Sequence, residues 1–150
     1  MKIFSNVQEV QSAVGTQLGY SDWHTVTQDQ VDLFAEATGD DQWIHTDPER
    51  AAEGPFGSTI AHGYLTLSLI PMLVREVYRL DGIRMAVNYG TEAVRFPSPV
   101  PVGSRIRAGV ELVSVVAGAG GYRATARVII EREGSDKPAC VATIISILFD

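Results

Sequence analysis

The segment GDDQWIHTD, residues 39–47, gathers three carboxylates, a tryptophan and one of the chain's three histidines. Asp40 and His45 are the types that move protons near neutral pH. Imidazole titrates there unperturbed, and a carboxylate can be tuned toward it. Seventeen residues after His45 stands His62-Gly63, at the head of a long apolar segment. If that segment is a helix, its first amides and its dipole favour a developing anion, and Gly63 lets a ligand approach the backbone. An acid, a base and an amide site together suit a reaction that passes through an enolate or an oxyanion. Each residue also has a plainer reading. Asp40 can cap local amides, His45 can be a packing residue, and His62 reads first as a helix-start residue.

These side chains need elements to hold them. Val7 to Val14 carries a short helical pattern ended by Gly15. Thr27 and Gln30 have the spacing of a capping box, Val31, Phe34, Ala35 and Thr38 follow at helical spacing, and Gly39 can end the helix left-handed. Asp47-Pro48 opens another short helix that stops near Gly54. The first chemical segment is thus a loop between two helices, where catalytic groups tend to gather. From His62 to about Leu80 the pattern is apolar nearly all round, which predicts one buried helix, kinked at Pro71. Residues 84–96, 104–116, 122–132 and 139–149 are long runs rich in β-branched residues, separated by glycine, proline and charge, and Arg105, Arg107 and Glu111 alternate with Ile106, Ala108, Val110 and Leu112. A buried helix followed by such a run predicts an α+β fold in which an antiparallel sheet wraps the helix.

At 150 residues the chain reads as one domain, residues 1–150, large enough to bury its own core. Its formal charge of −6 and the lack of any Lys/Arg cluster argue against nucleic acid as a partner. No apolar run approaches the roughly 20 residues of a membrane span, and the N-terminus lacks a secretory pattern. The lone cysteine, Cys140, has no partner for an internal disulfide, which fits a cytoplasmic protein. The spacings of His24, His45 and His62 match no metal-ligand motif, so no metal site is expected.

Taken jointly, these residues resemble the MaoC-like dehydratases, also called R-specific enoyl-CoA hydratases or hydratase 2, and among them the nodulation-protein-N-like branch. That family carries Gly-Asp-x-Asn-Pro-x-His-x-Asp followed by His-Gly at a helix start. Here the matching residues are Gly39, Asp40, His45, Asp47 and His62-Gly63, and RFPSPVPVGSRI at 95–106 is similar to the family's strand–turn–strand segment. The likeness runs in order over about residues 22–149. It departs where the family's Asn-Pro is Gln42-Trp43, and where some members have a serine this chain has Pro71.

The resemblance implies a hot-dog fold, a homodimer, and reversible syn hydration of a trans-2-enoyl-CoA to the (R)-3-hydroxyacyl-CoA. On it, His45 activates water, Asp40 exchanges the α-proton, and the backbone N–H of Gly63 polarises the thioester carbonyl. Exchanged roles for Asp40 and His45 remain open. Gln42 and His62 are expected as site support, Gln42 replacing the hydrogen bonds of the family's Asn. The carrier is coenzyme A or acyl carrier protein, with no cofactor, and Arg95, Arg105 and Arg107 are candidates by type for the carrier's phosphates. Tyr64 and Met72 are candidates for limiting acyl depth. A hot-dog acyl-CoA thioesterase and a non-catalytic acyl-carrier binding module are the alternatives.

Overall fold

Alternating apolar and polar residues in the second half of the chain form one antiparallel sheet. A computed structural model of the chain describes residues 1–149. In chain order the elements are β1 (Lys2–Phe4), α1 (Val7–Ser12), β2 (Gln17–Tyr20), β3 (His24–Thr25), α2 (Gln28–Thr38), α3 (Trp43–Thr46) and α4 (Pro48–Ala52). There follow α5 (Gly63–Ser68), α6 (Ile70–Val77), β4 (Tyr78–Leu80), β5 (Met85–Arg95), β6 (Arg105–Gly118), β7 (Gly121–Arg132) and β8 (Cys140–Phe149). The main sheet runs β2-β6-β7-β8-β5, and β3 pairs with β6 beyond β2.

The four long strands lie where the β-branched runs predict them. The short ones do not announce themselves, being two to four residues each. The inward row of the sheet is Ile106, Ala108 and Val110 on β6, Ala126, Val128 and Ile130 on β7, and Cys140 and Ala142 on β8. It packs against Leu65, Ile70, Leu73 and Val77 from the helices, with Val26 and Val31 beside them. Each valine, leucine or isoleucine among them contributes about 1.5–3 kcal/mol by leaving water. A second cluster, Phe4, Val7, Val10 and Ala13 against Leu112 and Val115, closes the sheet at the other end of β6.

The expected single helix from His62 to Leu80 is two. The first ends at Ser68, the second starts at Ile70, and Tyr78–Leu80 leaves the helix to pair in parallel with β1. Leu69 keeps a right-handed conformation between them and bonds to the Leu65 carbonyl, while Leu73 N–H donates to Leu69, so the ladder continues through the joint. Pro71 has no N–H to give the Leu67 carbonyl, and the break falls within that turn. Nor is the helix pair buried all round: Tyr64, Ser68 and Met72 form an exposed stripe, with Tyr64 70% exposed. Tyr64 and Met72 therefore face outward rather than lining an acyl cavity. Among the described residues, no helix is long and apolar enough to cross a membrane.

Candidate active site

Three helix signals build the site. Thr27 Oγ1 accepts the Gln30 N–H at 3.2 Å and starts α2; among the described hydrogen bonds, the return bond of a full capping box from Gln30 is not made. Gly39 ends α2 with φ 78°, a left-handed turn that favours glycine and throws Asp40 out of the helix. Asp47 accepts the Arg50 N–H at 3.0 Å and starts α4. Between these fixed ends, Trp43–Thr46 makes a single turn, opened by the Gln42 carbonyl accepting the His45 N–H at 2.9 Å.

His45 is 7% exposed and tightly held. Its Nδ1–H donates to the Ile60 carbonyl at 2.7 Å, which leaves Nε2 as the free nitrogen. Ile60 is itself fixed, donating to the Ile44 carbonyl at 3.0 Å and bridging to Pro101. Burial, ahead of the nearby His62, holds the His45 pKa below the ordinary histidine value, against the raising effects of the Ile60 bond and Asp40. A neutral imidazole with one proton fixed outward is a base ready to accept another.

One residue that sequence reasoning missed braces this arrangement. Gln28 Nε2 donates to the His45 carbonyl at 2.7 Å and to Asp32 at 2.9 Å, while its Oε1 accepts the Thr59 hydroxyl at 2.6 Å. A glutamine at the first position of a helix carries no special signal, and its partners lie 17 and 31 residues away.

His62 is the larger surprise. The bland reading made it a helix start, yet its side chain caps nothing and is 2% exposed. Its ring stacks on His45, with centroids 3.8 Å apart and planes at 24°, and touches Phe34 at 4.9 Å. Its Nε2–H donates to the Asp40 carbonyl at 2.8 Å, and its Nδ1 is buried without a partner. One imidazole thus supports both ends of the Asp40–His45 loop.

Asp40, His45 and His62 each bring a polar atom within 4.8 Å of the others'. As metal ligands they are poorly aimed. An imidazole binds a metal in its own ring plane, and two rings stacked in parallel do not converge on one such point. His24 lies elsewhere, its Nε2 2.7 Å from Glu76.

Gln42 lends its backbone to this site but not its side chain, which makes no hydrogen bond among the described residues. It does not take over the bonds expected of an asparagine there. Trp43 packs, with the Arg50 guanidinium 4.4 Å over its ring and Gly54 beneath, where a Cβ would come within 2.9 Å of the indole. Gly63 opens α5 as expected, but the space beside its Cα is not open to a ligand. A Cβ there would lie 2.9 Å from the Phe96 ring, so the glycine admits Phe96. Its amide hydrogen bonds to no backbone carbonyl among the described residues. A cleft of about 300 Å³ adjoins it, lined by Phe56, Ile60, Gly63, Thr66, Phe96 and Pro99 among others; Asp40 and His45 lie outside it. Of the candidate phosphate ligands, Arg105 pairs with Glu133 and Arg107 with Glu131, the latter at 2.8 Å. Arg95 donates to the Val94 carbonyl at 2.7 Å and, among the described residues, to no carboxylate.

A family model for the MaoC like domain matches residues 9–133. The chain belongs to the MaoC-like family. This MaoC-like chain is 56% identical over 146 residues to "3-hydroxyacyl-thioester dehydratase Z" of Mycobacterium tuberculosis strain H37Rv, covering 97% of each. It is 45% identical to "Nodulation protein N" of Rhizobium leguminosarum bv. viciae, over 95% of this chain and 91% of that protein. Among solved structures it resembles the (R)-hydratase from A. caviae involved in PHA biosynthesis, with a TM-score of 0.72 and 26% identity over 89% of this chain and 94% of that one. The sheet around the α5–α6 helix is the hot-dog fold of these proteins, and the MaoC-like chain is a hydro-lyase, a dehydratase or hydratase.

Proposed function

We propose that this chain is an (R)-specific enoyl-CoA hydratase, working reversibly by syn addition of water to a trans-2-enoyl-CoA. The observation that carries the reading is the convergence of Asp40 and His45, with polar atoms within 4.8 Å, around His62, the residue that precedes α5. Two proton-transfer groups so close serve the same face of a flat enoyl group, and delivery of H and OH to one face is syn addition. His45 Nε2 takes a proton from water as its oxygen bonds to C3. The C2=C3 electron pair moves onto the thioester oxygen, and C2 is then protonated through Asp40. The Gly63 N–H donates to that oxygen, where the helix start favours the developing negative charge.

His62 supports the pair by holding the Asp40 carbonyl and stacking on His45. Gln42 acts through its backbone alone. Such chemistry calls for no cofactor. The coenzyme A thioester is the substrate, with acyl carrier protein as the other carrier of the same arm. We infer a cytoplasmic enzyme and a homodimer. The dimer is supported by β5, an edge strand with Met85, Val87 and Tyr89 all exposed, Tyr89 at 67%. An edge so apolar invites pairing with another edge.

The reaction class is tested with trans-2-enoyl-CoAs of increasing length. Loss of enoyl absorbance without release of free thiol is the expected result. Free thiol would instead mean a thioesterase, and tight binding of analogues with no turnover a binding module.

A further inference from the structure

Where the family segment has Asn-Pro, this chain has Gln42-Trp43, and the turn that carries His45 starts there. A proline would fix its own φ at about −65° and stiffen such a turn. Tryptophan brings no such constraint, and a helix of one turn has little stability of its own. The backbone of α3 is held lightly. Asp47 N–H donates to the Trp43 carbonyl at 3.1 Å, and the Thr46 hydroxyl donates to the Asp41 carbonyl at 3.0 Å, at an exposed position where water competes.

The half-buried indole of Trp43 supplies what the backbone lacks. The Arg50 guanidinium lies 4.4 Å over its ring, an attractive arrangement for a cation on an aromatic face. Arg50 makes no ion pair among the described residues, so the ring is its partner. The benzo edge of the indole meets Gly54, where a Cβ would come within 2.9 Å. Gly54 is not among the glycines with positive φ, so its backbone does not call for glycine, whereas the indole does. Nor is Gly54 free to retreat. Its N–H donates to the Ala51 carbonyl at 3.0 Å, its carbonyl accepts the Gly57 N–H at 3.2 Å, and Ala51 is buried. Arg50 lies in α4 and Gly54 just past its end, so the indole locks α3 to α4. Two residues after the indole stands His45, whose carbonyl is braced from the other side by Gln28.

We propose that Trp43, gripped by Arg50 and Gly54, is a positioning residue that holds the α3 turn so that His45 Nε2 stays aimed at the water adding to C3. The assignment rests on the hydratase reading, in which His45 is the base. Trp43 is not in the wall of the cleft beside Gly63, and it acts through the backbone of the turn. By packing, it gives the loop the stiffness that a proline would give by its ring.

The test follows loss of enoyl absorbance across pH, on a trans-2-enoyl-CoA that the wild type turns over. Trp43→Ala should lower kcat by about 10- to 100-fold and leave KM within about twofold, since a displaced base costs rate rather than binding. Its acid limb should move up toward the ordinary histidine value, because water admitted to the turn relieves the burial that lowers the His45 pKa. Trp43→Phe keeps a ring under Arg50 and should recover most of the rate. Gly54→Ala should reproduce the loss by pushing on the indole, and adding Trp43→Phe should relieve it. If Trp43→Ala does not fold, the Gly54→Ala loss and its rescue carry the test. Wild-type kcat and acid limb in a folded Trp43→Ala, or a change confined to KM, would overturn the positioning role and leave the hydratase reading standing. So would a Gly54→Ala loss that Trp43→Phe leaves in place. No turnover of any enoyl-CoA by the wild type, or full turnover by His45→Gln, would sink that reading and this proposal with it.

Discussion

At the scale of single residues, the site depends on fixing two imidazoles. Because burial lowers the His45 pKa, the proposed base stays neutral to more acidic pH than a free histidine, and the acid limb of kcat/KM should fall below 6.5. The same depression bears on stability. The unfolded chain takes up the proton first, so this contribution is complete above the unfolded value and is lost as pH falls through the folded one. Replacing His62 with Phe keeps the burial but removes the bond to the Asp40 carbonyl and a neighbour that helps lower the His45 pKa. The acid limb should move up, and kcat should drop by about tenfold, the worth of one such hydrogen bond. A pH–rate profile of the variant checks both. The closeness of Asp40 and His45 was anticipated from the joint resemblance to a family segment, since their spacing alone fits a polar turn equally well. The stack of His62 on His45 was not, since it arises from two segments meeting across 17 residues.

At the scale of elements, rigidity comes from side chains that tie the loops together. Gln28→Leu would strand the Thr59 hydroxyl and the His45 carbonyl, each at about 1–3 kcal/mol if left unsatisfied. Each kcal/mol lost should lower the melting temperature by roughly 2–4 °C in a domain of this size. A thermal melt measures the loss, and an unchanged midpoint would show that water replaces the glutamine. Gly63→Ala should crowd Phe96, overpacking by about 1–3 kcal/mol and outweighing the helix propensity that alanine returns. Adding Phe96→Leu should recover that loss. Capping residues and strand alternation gave most boundaries because those signals are local. The end of the apolar helix at Val77 was hidden because β4 exists only by pairing with β1, from the other end of the sequence. Phe96 over Gly63 was hidden for the same reason.

At the scale of the molecule, the sheet has one apolar edge to cover. A Val87→Lys and Tyr89→Lys double variant should put charge on that edge and yield a monomer by light scattering, while a dimer that persisted would move the interface elsewhere. The α+β class was readable from the order of helical and strand patterns, whereas the strand order β2-β6-β7-β8-β5 depends on pairings between segments far apart in the chain. The most direct measurement is the configuration of the product formed from a trans-2-enoyl-CoA by the wild type and by Asp40→Asn and His45→Gln. The wild type should give the (R)-3-hydroxyacyl-CoA, and each variant, folded by circular dichroism, should lose about 10²–10⁴-fold in kcat. An (S) product, or a folded variant with near-normal turnover, would contradict the assignment of the acid–base pair.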